Sequence, residues 1–179
     1  GSVTTALLCL VLVLTRAHHG RFSLDTTVGV QKFHTAPTPR IGGVAVYLGL
    51  MVVLGLAPYT VRTWLMPMVV ASLPAFVMGL WEDLTKRVSV RKRLFSTFLS
   101  GVLAWWLMDI SLTRVNVPPV DWLLAHSLPA SVLFTAFAVS GASNAFNSID
   151  GFNGLAGGVA LIALAALGLI AAQVGDQTV

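Results

Sequence analysis

The apolar residues of this chain fall into long runs that contain no Asp, Glu, Lys or Arg, and the charged residues fall between them. The charge-free runs cover 1–15, 41–61, 63–81, 94–108, 122–149 and 151–175. A helix that is apolar on all sides is buried in a core or spans a bilayer. Crossing the hydrocarbon takes roughly 20 residues of helix, fewer where flanking side chains snorkel. The pattern therefore predicts an all-α, polytopic transmembrane helix bundle of about six spans. Neither an internal repeat nor a soluble linker interrupts it, and only 16–40 makes a long connection, so residues 1–179 are expected to form a single integral membrane domain. The first run is short and begins without methionine. Thr15-Arg16-Ala17-His18-His19 offers no small-x-small cleavage site, so a shortened first span fits better than a signal peptide.

Composition points the same way. Apolar residues make up 56% of the chain and charged residues 10%, and the mean hydropathy is +0.84. These values lie far from those of a soluble globular chain. The single cysteine, Cys9, excludes a disulfide within the chain and a thiolate metal cluster.

The charges add an orientation. Arg16, Arg21, Lys32 and Arg40 lie in one segment, and Lys86, Arg87, Arg91, Lys92 and Arg93 in another, whereas Arg62 and Arg114 stand alone in the intervening connections. Nine basic residues against two place the two basic segments in the cytoplasm and the N-terminus outside. With helices alternating, the stretch 144–158 also falls on the cytoplasmic side.

Two proline-bearing segments punctuate the runs. "TAPTPRIGG", 35–43, reads as a rigid turn leading into the second span. "TRVNVPPVDW", 113–122, reads as an outside loop in which two prolines stop any helix and Trp122 sits at the interface. Trp64, Trp81, Trp105 and Trp106 read as interface anchors and packing residues.

Polar groups gather in three cytoplasmic places. In "NAFNSIDGFNGLAGG", 144–158, Asn144, Asn147 and Asp150 follow one another at i,i+3 spacing, with Asn153 beyond. On a helix they share one slowly drifting face. Gly151 offers a stop, and Gly154, Gly157 and Gly158 would let the next helix start against a close backbone. Side-chain amides with one carboxylate suit a hard cation or a hydrogen-bonded polar ligand. The competing reading is that the asparagines knit helices together. In "GLWEDLTKRVSVRKRL", 79–94, Glu82 and Asp83 close a span and five basic residues follow. Two carboxylates at the negative end of a helix dipole call for a cation, which a divalent metal or the adjacent Lys86 and Arg87 could supply. For the basic run itself, the topological role is the simpler one. His18, His19 and His34 form the third group. Adjacent histidines point apart and do not readily chelate one metal, so solvated loop side chains are expected.

Taken together, these motifs resemble those of the polyprenyl-phosphate N-acetylhexosamine-1-phosphate transferases. "NAFNSIDGFNGLAGG" is similar to that family's Asn-x-x-Asn-x-x-Asp-Gly-x-Asp/Asn-Gly-Leu-Ala motif. "GLWEDLTKR" is similar to its Gly-x-x-Asp-Asp motif after the third span, and "TPRIGG" to its Pro-x-x-Gly-Gly segment. The resemblance extends over nearly the whole chain in order and topology.

It implies a multi-pass protein of the bacterial inner membrane with its active site on the cytoplasmic face. There a polyprenyl phosphate such as undecaprenyl phosphate attacks the β-phosphorus of a UDP-N-acetylhexosamine, releasing UMP, with magnesium as cofactor. The lipid bilayer and the two substrates are the implied partners, nucleic acid is not one, and a homodimer is compatible with the family. Asp83 is the first choice for engaging the polyprenyl phosphate or acting as a base, with Glu82 and Asp150 as further catalytic candidates. Asn147 and Asp150 are the metal candidates, and Asn144, Asn147, Asn153 and Lys86 the substrate-binding ones.

Three departures from the family pattern stand out. Glu82-Asp83 replaces the usual Asp-Asp, which favours Asp83 over the longer Glu82. Lys86 and Arg87 stand where some relatives carry a third aspartate. Asn153 replaces a frequent aspartate, as in a branch that includes O-antigen enzymes. The resemblance also calls for a later aspartate and a histidine-rich loop that are not among these residues. The chain is thus expected to be the N-terminal part of a longer transferase, inactive by itself and prone to self-association through the seam at 154–168. The rival reading from another class is a transporter or channel with an Asn/Asp-lined path. It is disfavoured because Glu82, Asp83 and Asp150 fall at span ends and not at mid-membrane depth.

Overall fold

The computed structural model describes residues 2–15, 41–85, 87–149 and 154–175. Among them every regular element is a helix: α1 (Ser2–Leu14), α2 (Gly42–Leu56), α3 (Tyr59–Thr85), α4 (Val90–Met108), α5 (Pro118–His126), α6 (Leu128–Ile149) and α7 (Leu155–Val174). Three of them, α3, α6 and α7, are long and apolar enough to cross a membrane, while α1 and α2 are shorter apolar helices. The nineteen-residue α4 carries Arg91, Lys92 and Arg93 in its first turn, so its apolar length begins at Leu94.

Two breaks fall elsewhere than the charge pattern predicts. The second and third runs part at Ala57-Pro58 and not at Arg62, because a residue before proline is driven out of the helical region. Ala57 is accordingly extended, at φ −66° and ψ 144°. Arg62 instead lies inside α3 and turns back, donating from Nε to the Leu54 carbonyl (3.1 Å) and from Nη2 to the Gly55 carbonyl (2.8 Å). It thereby satisfies carbonyls at the end of α2 that have no partner within the helix.

The second break corrects the reading of 113–122 as a loop whose prolines stop any helix. Pro118 and Pro119 open α5, where the missing proline N–H costs nothing because first-turn amides have no intrahelical acceptor. The apolar run 122–149 is then interrupted at Ser127, which is extended at φ −133° and ψ 98°, and only α6 is of spanning length.

The bundle centres on α3, α4 and α6. Most of its buried residues are small: Ala71 on α3, Ser96, Thr97, Ser100 and Gly101 on α4, and Ser131, Ala136 and Ser140 on α6, with Val69 and Val132 beside them. In lipid there is little hydrophobic force between helices, so close backbone approach and interhelical hydrogen bonds take its place. Both are present. A Cβ on Gly101 would lie 2.6 Å from the Ala136 Cα, and the Thr97 and Ser140 hydroxyls meet at 2.8 Å. Ser100 Oγ accepts from the Ala75 amide at 3.2 Å, beside the in-helix Pro74 of α3. Toward the other end, Ser131 Oγ donates to the Leu112 carbonyl, and Thr135 Oγ1 accepts the Leu112 amide, both at 2.8 Å.

The outer helices are attached differently. Tyr47 on α2 stacks on Phe76 of α3, with ring centroids 4.1 Å apart, and its hydroxyl donates to the Val69 carbonyl. In α7 only Ala171 is buried. The close approach expected at Gly154, Gly157 and Gly158 is not made among the described residues, since a Cβ at any of them would meet nothing within 4 Å. Gly154 serves another purpose there. It stands at the N-cap of α7 with φ +76°, a conformation that glycine adopts without steric cost.

Candidate functional site

Two helix ends of unfavourable polarity face each other at one end of the bundle. Glu82 and Asp83 lie in the last turn of α3, at the negative end of its dipole. Arg91, Lys92 and Arg93 lie in the first turn of α4, at the positive end of its own. Neither arrangement stabilises its own helix. They compensate one another across the short connection between the two helices, through an ion pair between Arg93 Nη1 and Glu82 Oε1 at 3.3 Å. Ser89 makes the turn as the extended N-cap of α4, and its carbonyl accepts from the amides of Lys92 and Arg93. An ion pair at the wet edge of a bundle contributes on the order of 1 kcal/mol or less. Its consequence is geometric.

Arg93 also reaches a third helix. Its Nε donates to Asn144 Oδ1 at 3.2 Å, joining positions 51 residues apart in sequence. Asn144 Nδ2 in turn donates to the Ser140 carbonyl at 2.8 Å and to Thr97 Oγ1 at 3.4 Å. The amide orientation follows from these partners, because reversing it would set donor against donor. Thr97, one turn below Arg93 on α4, is itself bonded to Ser140. The ends of α3, α4 and α6 are thus tied by one polar network, with Arg93 at its centre.

This network brings together two of the stretches singled out in the sequence. Glu82 and Asn144 meet through Arg93, and both are half-buried. Asp83 is half-buried beside Glu82, and Asn147, one turn beyond Asn144 toward the end of α6, is exposed. Lys86, Asp150 and Asn153 lie outside the described residues, as do His18, His19 and His34 and the segment 35–40. From sequence Arg93 has no role beyond the topology and charge screening shared with the rest of the basic run, yet it is the residue that joins the two motifs. Three basic side chains set against a helix dipole were the available signal.

Below the network, an apolar hollow of about 270 Å³ opens between α3, α4 and α6, lined among others by Ala71, Ala75, Ser100, Val139 and Ser143. Thr97 lines it as well, so the hollow and the polar network share a wall.

The donors at this end are carboxylate and amide oxygens, which are ligands for a hard cation. Among the described residues no three His, Cys, Asp or Glu side chains come together as a metal cage.

Comparison with known proteins bears on the whole arrangement. No curated protein and no solved structure matched the chain. The family model for glycosyl transferase family 4 matches residues 65–179, which include most of α3, all of α4 and α6, and both polar motifs. That match covers more than half of the chain, so the protein belongs to glycosyl transferase family 4, the polyprenyl-phosphate hexose-1-phosphate transferases.

Proposed function

We propose that the protein transfers an N-acetylhexosamine 1-phosphate from its UDP derivative to undecaprenyl phosphate or a similar polyprenyl phosphate, releasing UMP, at the cytoplasmic face of a bacterial inner membrane. The observation that carries this reading is the convergence of the acidic end of α3 and the asparagine face of α6 on the basic start of α4, through the contacts of Arg93 with Glu82 and Asn144. Both substrates are anions, and their reacting groups meet where a lipid headgroup meets water. Apolar helix bodies with all the chemistry at one end suit that task. Two anions approach only where their charge is offset, and the exposed Arg87, Arg91 and Lys92 supply positive potential around this end.

In this reading Asp83 engages the polyprenyl phosphate. Asn147 is assigned to the diphosphate, and Asp150 and Asn153 to the nucleotide and sugar, with Lys86 to screen phosphate charge. Asn147 and Asp150 would hold a magnesium ion, which when bound would neutralise diphosphate charge and make UMP a better leaving group. The lipid phosphate oxygen forms a bond to the β-phosphorus, and the bond from that phosphorus to the bridging oxygen breaks. The electron pair leaves with UMP. A transport function is less well supported, because the bodies of the helices are apolar or carry hydroxyls that are already hydrogen-bonded. Among the described residues no buried side-chain polar atom lacks a partner.

The fate of the β-phosphate tests the reaction type. With UDP-N-acetylhexosamine labelled at the β-phosphorus and membranes containing the full-length gene product, the label is expected in the lipid extract with UMP as co-product. Label retained in UDP would show simple sugar transfer and contradict the reading.

A further inference from the structure

We propose that Arg93 is the positioning residue of this site and that Glu82 anchors Arg93 and does not itself touch substrate or metal; the inference rests on the transferase reading given above. The guanidinium is planar with donors in a fixed fork, and here it spends Nη1 on Glu82 of α3 and Nε on Asn144 of α6. A single rigid group therefore sets the separation of two helix ends that carry neighbouring motif residues. Asp83 follows Glu82 directly, and Asn147 lies one turn past Asn144.

The hydrogen bonds of Asn144 support the same assignment. Its Oδ1 accepts from Arg93, and its Nδ2 donates to the Ser140 carbonyl and to Thr97 Oγ1. Both amide hydrogens are thereby directed into the protein and the oxygen already accepts from Arg93, which makes Asn144 part of the frame that holds the guanidinium. Thr97 secures this frame from below through Ser140. Glu82 and Asn144, both counted among the active residues from sequence, thus become the two supports of Arg93. The reacting groups lie on the neighbouring positions. A misplacement of about 1 Å at such a site costs on the order of 100-fold in rate.

The test combines kinetics with hydrogen exchange on the full-length gene product in phospholipid nanodiscs. Arg93→Gln is expected to speed amide exchange in both 82–85 and 144–149 by about tenfold, as local opening becomes easier. It should lower kcat by about 100-fold while KM for the nucleotide sugar moves by less than about threefold. Arg93→Lys keeps the charge but not the fork and should recover part of both losses. Adding Glu82→Gln to Arg93→Gln should change kcat by no more than about twofold, since the anchor has nothing left to hold.

Unchanged exchange with lost turnover would show that Arg93 acts on substrate directly and would overturn the proposal. So would a loss carried by KM alone. A multiplicative double mutant would give Glu82 a role of its own and overturn that half. If exchange responds but the wild-type protein moves no sugar phosphate, the transferase reading fails, and the positioning role for that reaction fails with it.

Discussion

Glu82 and Asp83 are adjacent in sequence, yet adjacent helical positions are turned by about 100° from each other, so a single partner rarely serves both. Arg93 is the partner of Glu82 at 3.3 Å. The consequence is a difference in how the two carboxylates respond to neutralisation. Glu82→Gln keeps an oxygen acceptor for Arg93 and should reduce transfer by about tenfold or less, as expected for the loss of one exposed ion pair. Asp83→Asn removes charge at a residue assigned to the lipid phosphate and should reduce transfer by at least about 1000-fold, in the range seen when a group acting on the reacting centre is removed. Initial rates of lipid-product formation distinguish them, and equal losses would return Glu82 to the reacting groups. The acidic pair and the asparagine spacing were legible in the sequence because both are local patterns. Arg93 was not, because its role depends on Asn144, 51 positions away, and no local rule brings those residues together. The mismatch of three first-turn basic residues with the dipole of α4 was the one readable hint.

At the level of elements, the apolar runs were legible, and their ends were less so. Ala57-Pro58 and Ser127 break helices through backbone preference, which a search for charge-free runs does not register. The prolines at 118 and 119 were misread because their effect depends on position: they interrupt a helix interior but are well suited to its first turn. Gly154, Gly157 and Gly158 attracted attention as glycines, whereas the close approach is made by Gly101 against Ala136. It is flanked by hydroxyls at Thr97, Ser100 and Ser140, and the four-residue spacing of small residues, Thr97 to Gly101 and Ala136 to Ser140, could have been recognised. A methyl group at Gly101 would lie 2.6 Å from backbone, so Gly101→Ala should destabilise the bundle by about 1–3 kcal/mol, the usual cost of overpacking. Gly168→Ala, in the exposed middle of α7 with nothing within 4 Å, should be neutral or stabilising by up to about 1 kcal/mol. Thermal unfolding in detergent measures both. A Gly101→Ala protein as stable as the parent would mean that α4 and α6 do not pack as closely as described.

For the molecule as a whole, the distribution of charge and the distribution of chemistry coincide. The segment 87–89 precedes α4 and Asn116 follows it, and nineteen helical residues separate their two ends by about 27 Å. Nearly all of the basic residues lie on the Arg87 side of α4 or in 16–40, with Arg62 and Arg114 as the exceptions. By the positive-inside rule this distribution supports the proposal that the Arg93 network faces the cytoplasm. The all-helical, apolar class of architecture was legible in the charge-free runs and in the mean hydropathy of +0.84. The depth of each helix was not, because α1, α2 and α4 fall short of the usual spanning length or charge limit and their placement depends on neighbours. The most direct test of a transferase site at the Arg93 end uses sealed vesicles of known sidedness. A membrane-impermeant UDP-N-acetylhexosamine carrying a labelled β-phosphate is added from outside in the presence of magnesium. Inside-out vesicles are expected to place the label in polyprenyl lipid, right-side-out vesicles to do so only after permeabilisation, and Asp83→Asn vesicles of either kind not at all. Labelling of intact right-side-out vesicles, or wild-type labelling by Asp83→Asn, would contradict the account.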